Sequence, residues 1–302
     1  GEMSVSDEIL KRVSDAYRRI RNTARFLLGN LDGFTPDQAL APSEMLPLDR
    51  WAVDCALQLQ KQVEQAYDEF QFLQVYQKVH NFCAFEMGAF YLDILKDRLY
   101  TTGYDSLARK SAQTAMYHVL EAMARWIAPV LSFTAEEIHQ FVPGERSESV
   151  FLETWYENLF EMDDAEAERK RWARVIQVRD AVSKSIEAVR KEGKAGSSLA
   201  VEVEVWLDGD LLQAVASMGD ELRFVFLTSE ARVGELAEAP ENAGRTRLEE
   251  GEMALIVTPS EHEKCVRCWH YRADVGSDPE HPEICSRCVE NIFGEGEKRL
   301  IA

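Results

Sequence analysis

Apolar residues recur every three or four positions through the first half of the chain, a rhythm that predicts one helix after another. The first covers residues 4–30, with Ser4 or Ser6 as its cap ahead of the acidic pair Asp7 and Glu8. Val13, Tyr17, Ile20, Ala24 and Leu27 form its core stripe, and Gly29, Asn30, Gly33 and Pro36 end it. Residues 37–47 are a Pro-containing connection; Leu48, Ala52, Cys55, Leu59, Val63 and Ala66 then mark a second helix over 48–70. Further helices are expected over 74–98 and 105–130, the latter stopping near Pro129. A short fifth over 134–141 opens with a Thr-x-x-Glu capping box at Thr134 and Glu137. Apolar faces this wide pack on several neighbours, so residues 1–160 read as a helical bundle.

Beyond residue 143 the texture changes. Residues 143–160 read as a loop anchored by Phe151, Trp155, Tyr156 and Phe160, and 161–192 as a highly charged helix broken by GKAGSS at 193–198. Val201, Val203 and Val205 then alternate with Glu202, Glu204 and Trp206, the two-residue period of a half-buried strand. A short helix over 211–218, strands over 223–228 and 254–258, and an acidic linker over 236–250 complete a small α+β unit. The expected fold is mainly α: a bundle over 1–160, the charged helix with a small α+β subdomain over 161–260, and a cysteine module over 261–302.

In that module Cys265 and Cys268 form one Cys-x-x-Cys pair, Cys285 and Cys288 another, with sixteen residues between them. Each tight turn aims two sulfurs at one ion and four thiolates complete a tetrahedron, which is the spacing of a structural zinc site. His270 and His281 are conceivable replacements for a cysteine, but four cysteines are the simpler set. A filled shell leaves no position for an activated water, so the single zinc expected here is structural. It supplies on the order of 10 kcal/mol to a module too small to bury a core of its own. Cys55 and Cys83 stand among apolar neighbours and read as core residues, and six cysteines so arranged fit a reducing compartment. No apolar run approaches the roughly 20 residues that cross a bilayer, and the first ten residues lack a leader's basic and apolar regions. The expectation is a cytoplasmic protein with no membrane partner.

Composition qualifies the picture. Lys and Arg number 34 against 53 Asp and Glu, a net charge of -19 that opposes indiscriminate coating of nucleic acid. Cations are nonetheless concentrated. Arg18, Arg21 and Arg25, with Asn22 beside them, line one face of the first helix, with no acidic partner expected at neighbouring helical positions. On the charged helix Arg169, Lys170, Arg171, Arg174, Arg179, Lys184, Arg190, Lys191 and Lys194 outweigh Asp180, Glu187 and Glu192. Both faces read either as solvated surface or as ridges that meet phosphates. After Cys268 come Trp269, His270, Tyr271 and Arg272, either packed over the zinc and its hairpin or presented as a stacking platform for unpaired bases. Arg287 lies inside the second cysteine pair, and the tail adds Lys298 and Arg299. A Gly-rich phosphate loop, a nucleophile elbow and His-Glu-x-x-His are all missing. His80, His118 and His139 fall within helical patterns as core or surface residues.

The segments SDEILKRVSDAYRRIRNTARFLLGNL, GDELRFVFLTS and CVRCWHY with CSRCVEN and GEGEKR resemble, in the same order, the C-terminal part of the bacterial isoleucyl-tRNA synthetases, a class I aminoacyl-tRNA synthetase family. The resemblance implies a bundle of anticodon-binding type, a zinc-bearing C-terminus and an isoleucine-specific tRNA as partner, with no DNA. It implies that Cys265, Cys268, Cys285 and Cys288 hold the zinc. It places tRNA contacts at Arg18, Arg21, Asn22, Arg25, Trp269, His270, Tyr271, Arg272, Arg287, Lys298 and Arg299, and no catalytic residue. Neither a HIGH-type nor a KMSKS-type motif occurs, which implies a part without the aminoacylation and editing domains or their ATP site, inactive alone, from a parent that acts as a monomer. Two rivals stand beside it. A zinc-finger DNA-binding protein akin to repair glycosylases would need an N-terminal nucleophile where this chain has Gly1, Glu2 and Met3. In a protein-interaction scaffold the basic ridges would be ordinary surface.

Overall fold

The computed structural model describes residues 5–302. They cluster into two compact units: one holds the chain up to Leu95 with Leu107–Met162, the other Lys96–Ser106 with Asp163–Ala302.

The first unit is helical. α1 (Asp7–Gly29) begins where Ser6 accepts a hydrogen bond from the Ile9 N–H at 3.3 Å, with Asp7 and Glu8 at the positive end of the helix dipole. Ser4, the other candidate cap, lies outside the described residues. Ala16, Ile20, Thr23, Ala24 and Leu27 are buried, whereas Val13, expected in the same stripe, is 52% exposed. Here the apolar rhythm has the right phase but outruns the burial available to it. α2 (Pro47–Asp68) opens with a proline at its first position, where a missing N–H costs nothing. Cys83 is in the core as expected, and Cys55 is half-buried.

The expected third helix is a continuous run of three parts: α3 (Phe72–Phe82), a π-helical stretch (Cys83–Tyr91) and α4 (Leu92–Thr101). In the wide turn the Cys83 carbonyl oxygen stands 2.8 Å from where a Cβ on Gly88 would sit, so only glycine fits. α5 (Leu107–Ile127) is buried on most of its faces and α6 (Ser132–Phe141) follows it. α6 starts two residues before Thr134, so the expected capping box does not form. The Thr134 hydroxyl instead pairs with that of Tyr17 at 3.1 Å.

Buried polar groups lock these helices in register. The Asp49 carboxylate accepts from the Tyr91 hydroxyl at 2.7 Å and from the Ser111 hydroxyl, which itself accepts from the Leu46 N–H at 2.8 Å. Gln60 accepts from the Trp126 indole at 3.0 Å and donates to the Tyr156 carbonyl at 2.9 Å, which clamps the 143–160 segment onto the bundle. His118 Nδ1 meets the Tyr156 hydroxyl at 2.7 Å, with the Phe160 ring edge-on at 6.1 Å.

In the second unit α7 (Ala165–Lys191) buries Trp172, Val175, Val178, Val182 and Ile186. β1 (Val201–Leu207) turns Val201, Val203, Val205 and Leu207 inward, as the alternation requires. The helix expected over 211–218 is α8 (Gly209–Ala216). Residues 223–228, expected as a strand, are instead mostly α9 (Leu222–Phe226), closed by Leu227 in the left-handed conformation at φ 57°. Leu222, Phe224, Val225 and Phe226 are all buried, and an apolar run buried all round carries no period to separate strand from helix. The strand is β2 (Glu230–Glu235), parallel to β1, and such a pair needs a crossover, which α8 and α9 supply. The expected linker over 236–250 contains β3 (Gly244–Leu248), which pairs with β4 (Gly251–Pro259) to give the sheet order β2-β1-β4-β3. The exposed residues of β3 make it read as linker. β5 (Glu263–Lys264), β6 (Tyr271–Arg272) and α10 (Ser286–Phe293) frame the cysteines. Among the described residues no helix is long and apolar enough to cross a membrane.

Burial pushes His118 down to about 4 from its ordinary 6.5, outweighing the nearby Glu121 carboxylate, so the folded ring stays neutral where the unfolded chain binds a proton. A base depressed on folding contributes its full stability above the unfolded value and loses it as pH falls. Urea unfolding should therefore show the first unit weakening by about 2–3 kcal/mol between pH 6.5 and 4, and His118→Gln should flatten that slope. An undiminished slope in the variant would assign the loss to other groups.

Candidate zinc clamp and nucleic-acid surface

The cysteine module is built from two turns. Cys265 ends the β5 arm; its N–H donates to the His270 carbonyl and its own carbonyl accepts from the Trp269 N–H, both at 2.9 Å, which closes the loop on itself. Cys285 precedes α10 and Cys288 lies in its first turn. Val275 and Ile284 pack against the four buried sulfurs. Cys265 and Cys288 stand 3.7 Å apart, as do Cys268 and Cys285, and all four ligand atoms lie within 4.8 Å of one another. Zinc–sulfur bonds of roughly 2.3 Å give a tetrahedron with edges of about 3.8 Å. The donor set therefore fits one structural zinc, held by Cys265, Cys268, Cys285 and Cys288. Hydrogen bonds from Cys285 and Cys288 favour the thiolate of Cys268, which holds its pKa far down. Its hydrogen bond and charge in turn push Cys285 up. A bound dication is what makes four thiolates compatible. Neither histidine competes as a ligand: His281 stacks on Phe293 at 4.1 Å, and His270 lies edge-on to Phe224 at 5.7 Å.

Under the clamp lies a buried carboxylate. Asp97, near the end of α4, accepts both arms of Arg287 at 2.7 and 2.8 Å and one arm of Arg299 at 2.5 Å, with His270 Nδ1 3.7 Å away. Burial alone would push its carboxyl up, but hydrogen bonding from Arg287 and the charges of Arg287, Arg299 and His270 prevail and hold it at about 2. Glu297 gives the same two arginines a second counterion, at 3.3 Å from Arg287 and 3.2 Å from Arg299. The Phe224 ring is flanked by Arg299, Arg223 and Arg287 at 3.5, 4.6 and 5.1 Å. Arg267, between the first two cysteines, donates to the Thr101 carbonyl at 2.8 Å. The tail is fastened by Glu221, which accepts from the backbone N–H groups of Leu300, Ile301 and Ala302 at 2.6–3.1 Å.

This arrangement divides the residues expected at an RNA surface. Trp269 is 61% exposed, in the left-handed conformation at φ 65°, with the Lys264 ammonium 5.4 Å from its ring. It does not pack over the zinc. Lys298 is exposed. His270 (3% exposed), Arg287 and Arg299 (6% exposed) belong to the Asp97 network, where ion pairing and burial leave little of them open to an outside partner. Tyr271 and Arg272 are half-buried; the Tyr271 N–H donates to the Ser229 hydroxyl at 2.6 Å and Arg272 pairs with Glu230 at 3.0 Å.

On α1 the expected absence of acidic partners is also corrected. Arg18 pairs with Asp15 at 2.6 Å, one turn earlier, and Arg21 forks onto Glu137 of α6 at 2.6 and 2.9 Å. Arg25 and Asn22 are exposed, and among the described residues no side-chain partner holds either. Arg21, Arg25 and Leu28 face Glu137, Ile138 and Phe141 across a groove of about 480 Å³ between α1 and α6. The cations of the charged helix are largely neutralised: Lys170 by Glu166, Arg171 by Glu168, Arg174 by Asp210 and Glu250, Arg190 by Glu187, and Lys194 by Glu192. Arg179 is buried against the Val225 carbonyl at 2.7 Å. Lys184 and Lys191 remain exposed. Sequence reasoning missed Asp97, Glu137, Phe224 and Glu297 as site-builders, because each meets its partner across distant or irregular chain.

Two outcomes are expected. Cys268→Ser or Cys285→Ser should lose zinc by elemental analysis and unfold the module by circular dichroism; full zinc content would refute the ligand set. Asp97→Ala leaves Arg287 and Arg299 buried with one shared counterion and should cost about 3–5 kcal/mol in urea unfolding, whereas a loss below about 1 kcal/mol would mean that solvent screens the pair.

Residues 49–205 match the family described as anticodon-binding domain of tRNA ligase, and residues 263–291 match a zinc finger found in FPG and IleRS. Isoleucine–tRNA ligases of Thioalkalivibrio sulfidiphilus and Pseudomonas entomophila are 56% identical over 304 residues, and that of Methylococcus capsulatus is 56% identical over 301. These alignments cover 99–100% of this chain but 32% of each relative, so the chain spans about a third of their length, in their C-terminal part. With more than half of its residues matched and a four-cysteine clamp where the zinc-finger match falls, the chain belongs to the anticodon-binding domain family of tRNA ligases.

Proposed function

We propose that this chain recognises the anticodon stem and loop of an isoleucine tRNA, as the C-terminal part of a monomeric cytoplasmic enzyme that joins isoleucine to that tRNA using ATP. The observation that carries the reading is Trp269: a large aromatic held exposed, in a backbone conformation that costs such a residue about 1–3 kcal/mol, on a metal-braced turn with a cation at its ring. Zinc, the loop hydrogen bonds to Cys265 and the Asp97 network sustain that strain. A ring so presented stacks on a splayed base with little reorganisation.

Phosphates are met by the remaining free cations. On α1 these centre on Arg25 beside Asn22, with Arg21 kept at a fixed angle by Glu137 and Arg18 close by. On the second unit they are Lys264 and Lys298, with the Glu230-paired Arg272 close by. Such contacts position the RNA while the aromatic and polar groups distinguish the loop. The residues that activate isoleucine lie outside this chain, so the chain alone forms no aminoacyl-adenylate.

Binding of an isoleucine tRNA, an unrelated tRNA and duplex DNA to the zinc-loaded chain tests this. The isoleucine tRNA should bind best and weaken as salt rises. Trp269→Ala should lose about 1–3 kcal/mol of affinity with zinc retained, and Arg25→Gln should reduce the salt slope by about one. Salt-independent binding, or a preference for duplex DNA, would defeat the proposal.

A further inference from the structure

Arg223 is the one arginine around Phe224 whose charge is not answered. Arg287 and Arg299 share Asp97 and Glu297, and Arg272 has Glu230 at 3.0 Å and Asp274 at 3.6 Å. Arg223 lies 4.6 Å from the centre of the Phe224 ring, half-buried, and no carboxylate among the described residues comes within 4.0 Å of it. Glu221, two residues earlier, is committed to the backbone of Leu300, Ile301 and Ala302. In a chain with 53 acidic against 34 basic residues, a half-buried guanidinium without a counterion is an unusual arrangement. Burial and then the charges of Arg272 and Arg287 make its protonated form less favourable, with Glu230 only partly offsetting them, so the local potential at Arg223 is positive.

We propose that Arg223 anchors an oxyanion site of the second unit that takes a phosphate group. A planar guanidinium fixed against an aromatic face offers a preset fork to two phosphate oxygens, and an incoming anion relieves its repulsion with Arg272 and Arg287. The phosphate is either a phosphodiester of bound RNA or free inorganic phosphate. The first source rests on the tRNA reading above; the second is independent of it.

The test uses the zinc-loaded chain with nitrogen-15-labelled arginine and inorganic phosphate as the probe, at constant ionic strength against chloride. The Arg223 Nε–H resonance, assigned by its loss in Arg223→Gln, should shift saturably with phosphate. Phosphate should also raise the melting temperature of the wild type more than that of the variant. If Arg223→Gln does not fold, Arg223→Lys keeps the charge without the fork and should show weakened saturation. A shift that never saturates, or equal thermal gains in wild type and variant, overturns the site. With a tRNA stem-loop added, displacement of phosphate and a fall in salt slope of about 0.7–0.9 for Arg223→Gln identify the phosphodiester. An unchanged slope with the phosphate shift retained identifies free phosphate. Failure of all RNA binding removes the tRNA reading and leaves the phosphate result standing.

Discussion

The interaction on which the second unit turns is the sharing of one buried carboxylate, Asp97, between Arg287 and Arg299. Isolated, each of these ions would be costly to remove from water; together, with Glu297 as a second carboxylate beside both arginines, each charge has a partner of opposite sign. Arg287 comes from the zinc-bearing helix, Arg299 from the tail and Asp97 from α4, so one anion ties the C-terminal segments to a helix 190 and 202 residues earlier in the chain. The metal clamp and the carboxylate divide the labour. Four sulfurs close the module on itself, and the arginines attach it to α4 and α9, whose Phe224 fills the space between guanidiniums.

The first unit solves a similar problem with neutral groups. Gln60 and Asp49 each join elements that share no local sequence pattern, one through an indole and a carbonyl, the other through two hydroxyls. Such groups add little net energy when paired and cost much when orphaned, so they select a single packing from the many that an apolar bundle allows. The π-helical stretch with Gly88 serves the same uniqueness by steric means.

Charge is the second theme. An acidic protein that answers most of its arginines with carboxylates leaves few cations for an outside partner, and their positions become informative. Arg25, Lys264 beside Trp269, Lys298, Arg223 and, on α7, Lys184 and Lys191 are among those that remain after Arg18, Arg21, Arg171, Arg174 and Arg190 are paired. Counting cations on α7 overstated its basic character, because Glu166 and Glu168 lie one turn away and Asp210 and Glu250 arrive from elsewhere in the second unit. A sparse set of free charges positions a partner without coating it.

Local sequence was sufficient wherever the physics is local. The helices of the first unit, the inward valines of β1 and the zinc ligands are legible because helical period, strand alternation and the reach of two cysteines across a turn depend on residues within a few positions of each other. Tertiary structure decided what proximity in space controls. It made α9 from a run that reads as strand, since burial on every side erases the period. It withdrew His270, Arg287 and Arg299 from the surface, because their partner Asp97 lies some 170 to 200 residues away. It also turned Trp269 outward: its N–H closes the turn onto the Cys265 carbonyl, its backbone is left-handed, which no propensity favours, and its ring stands exposed.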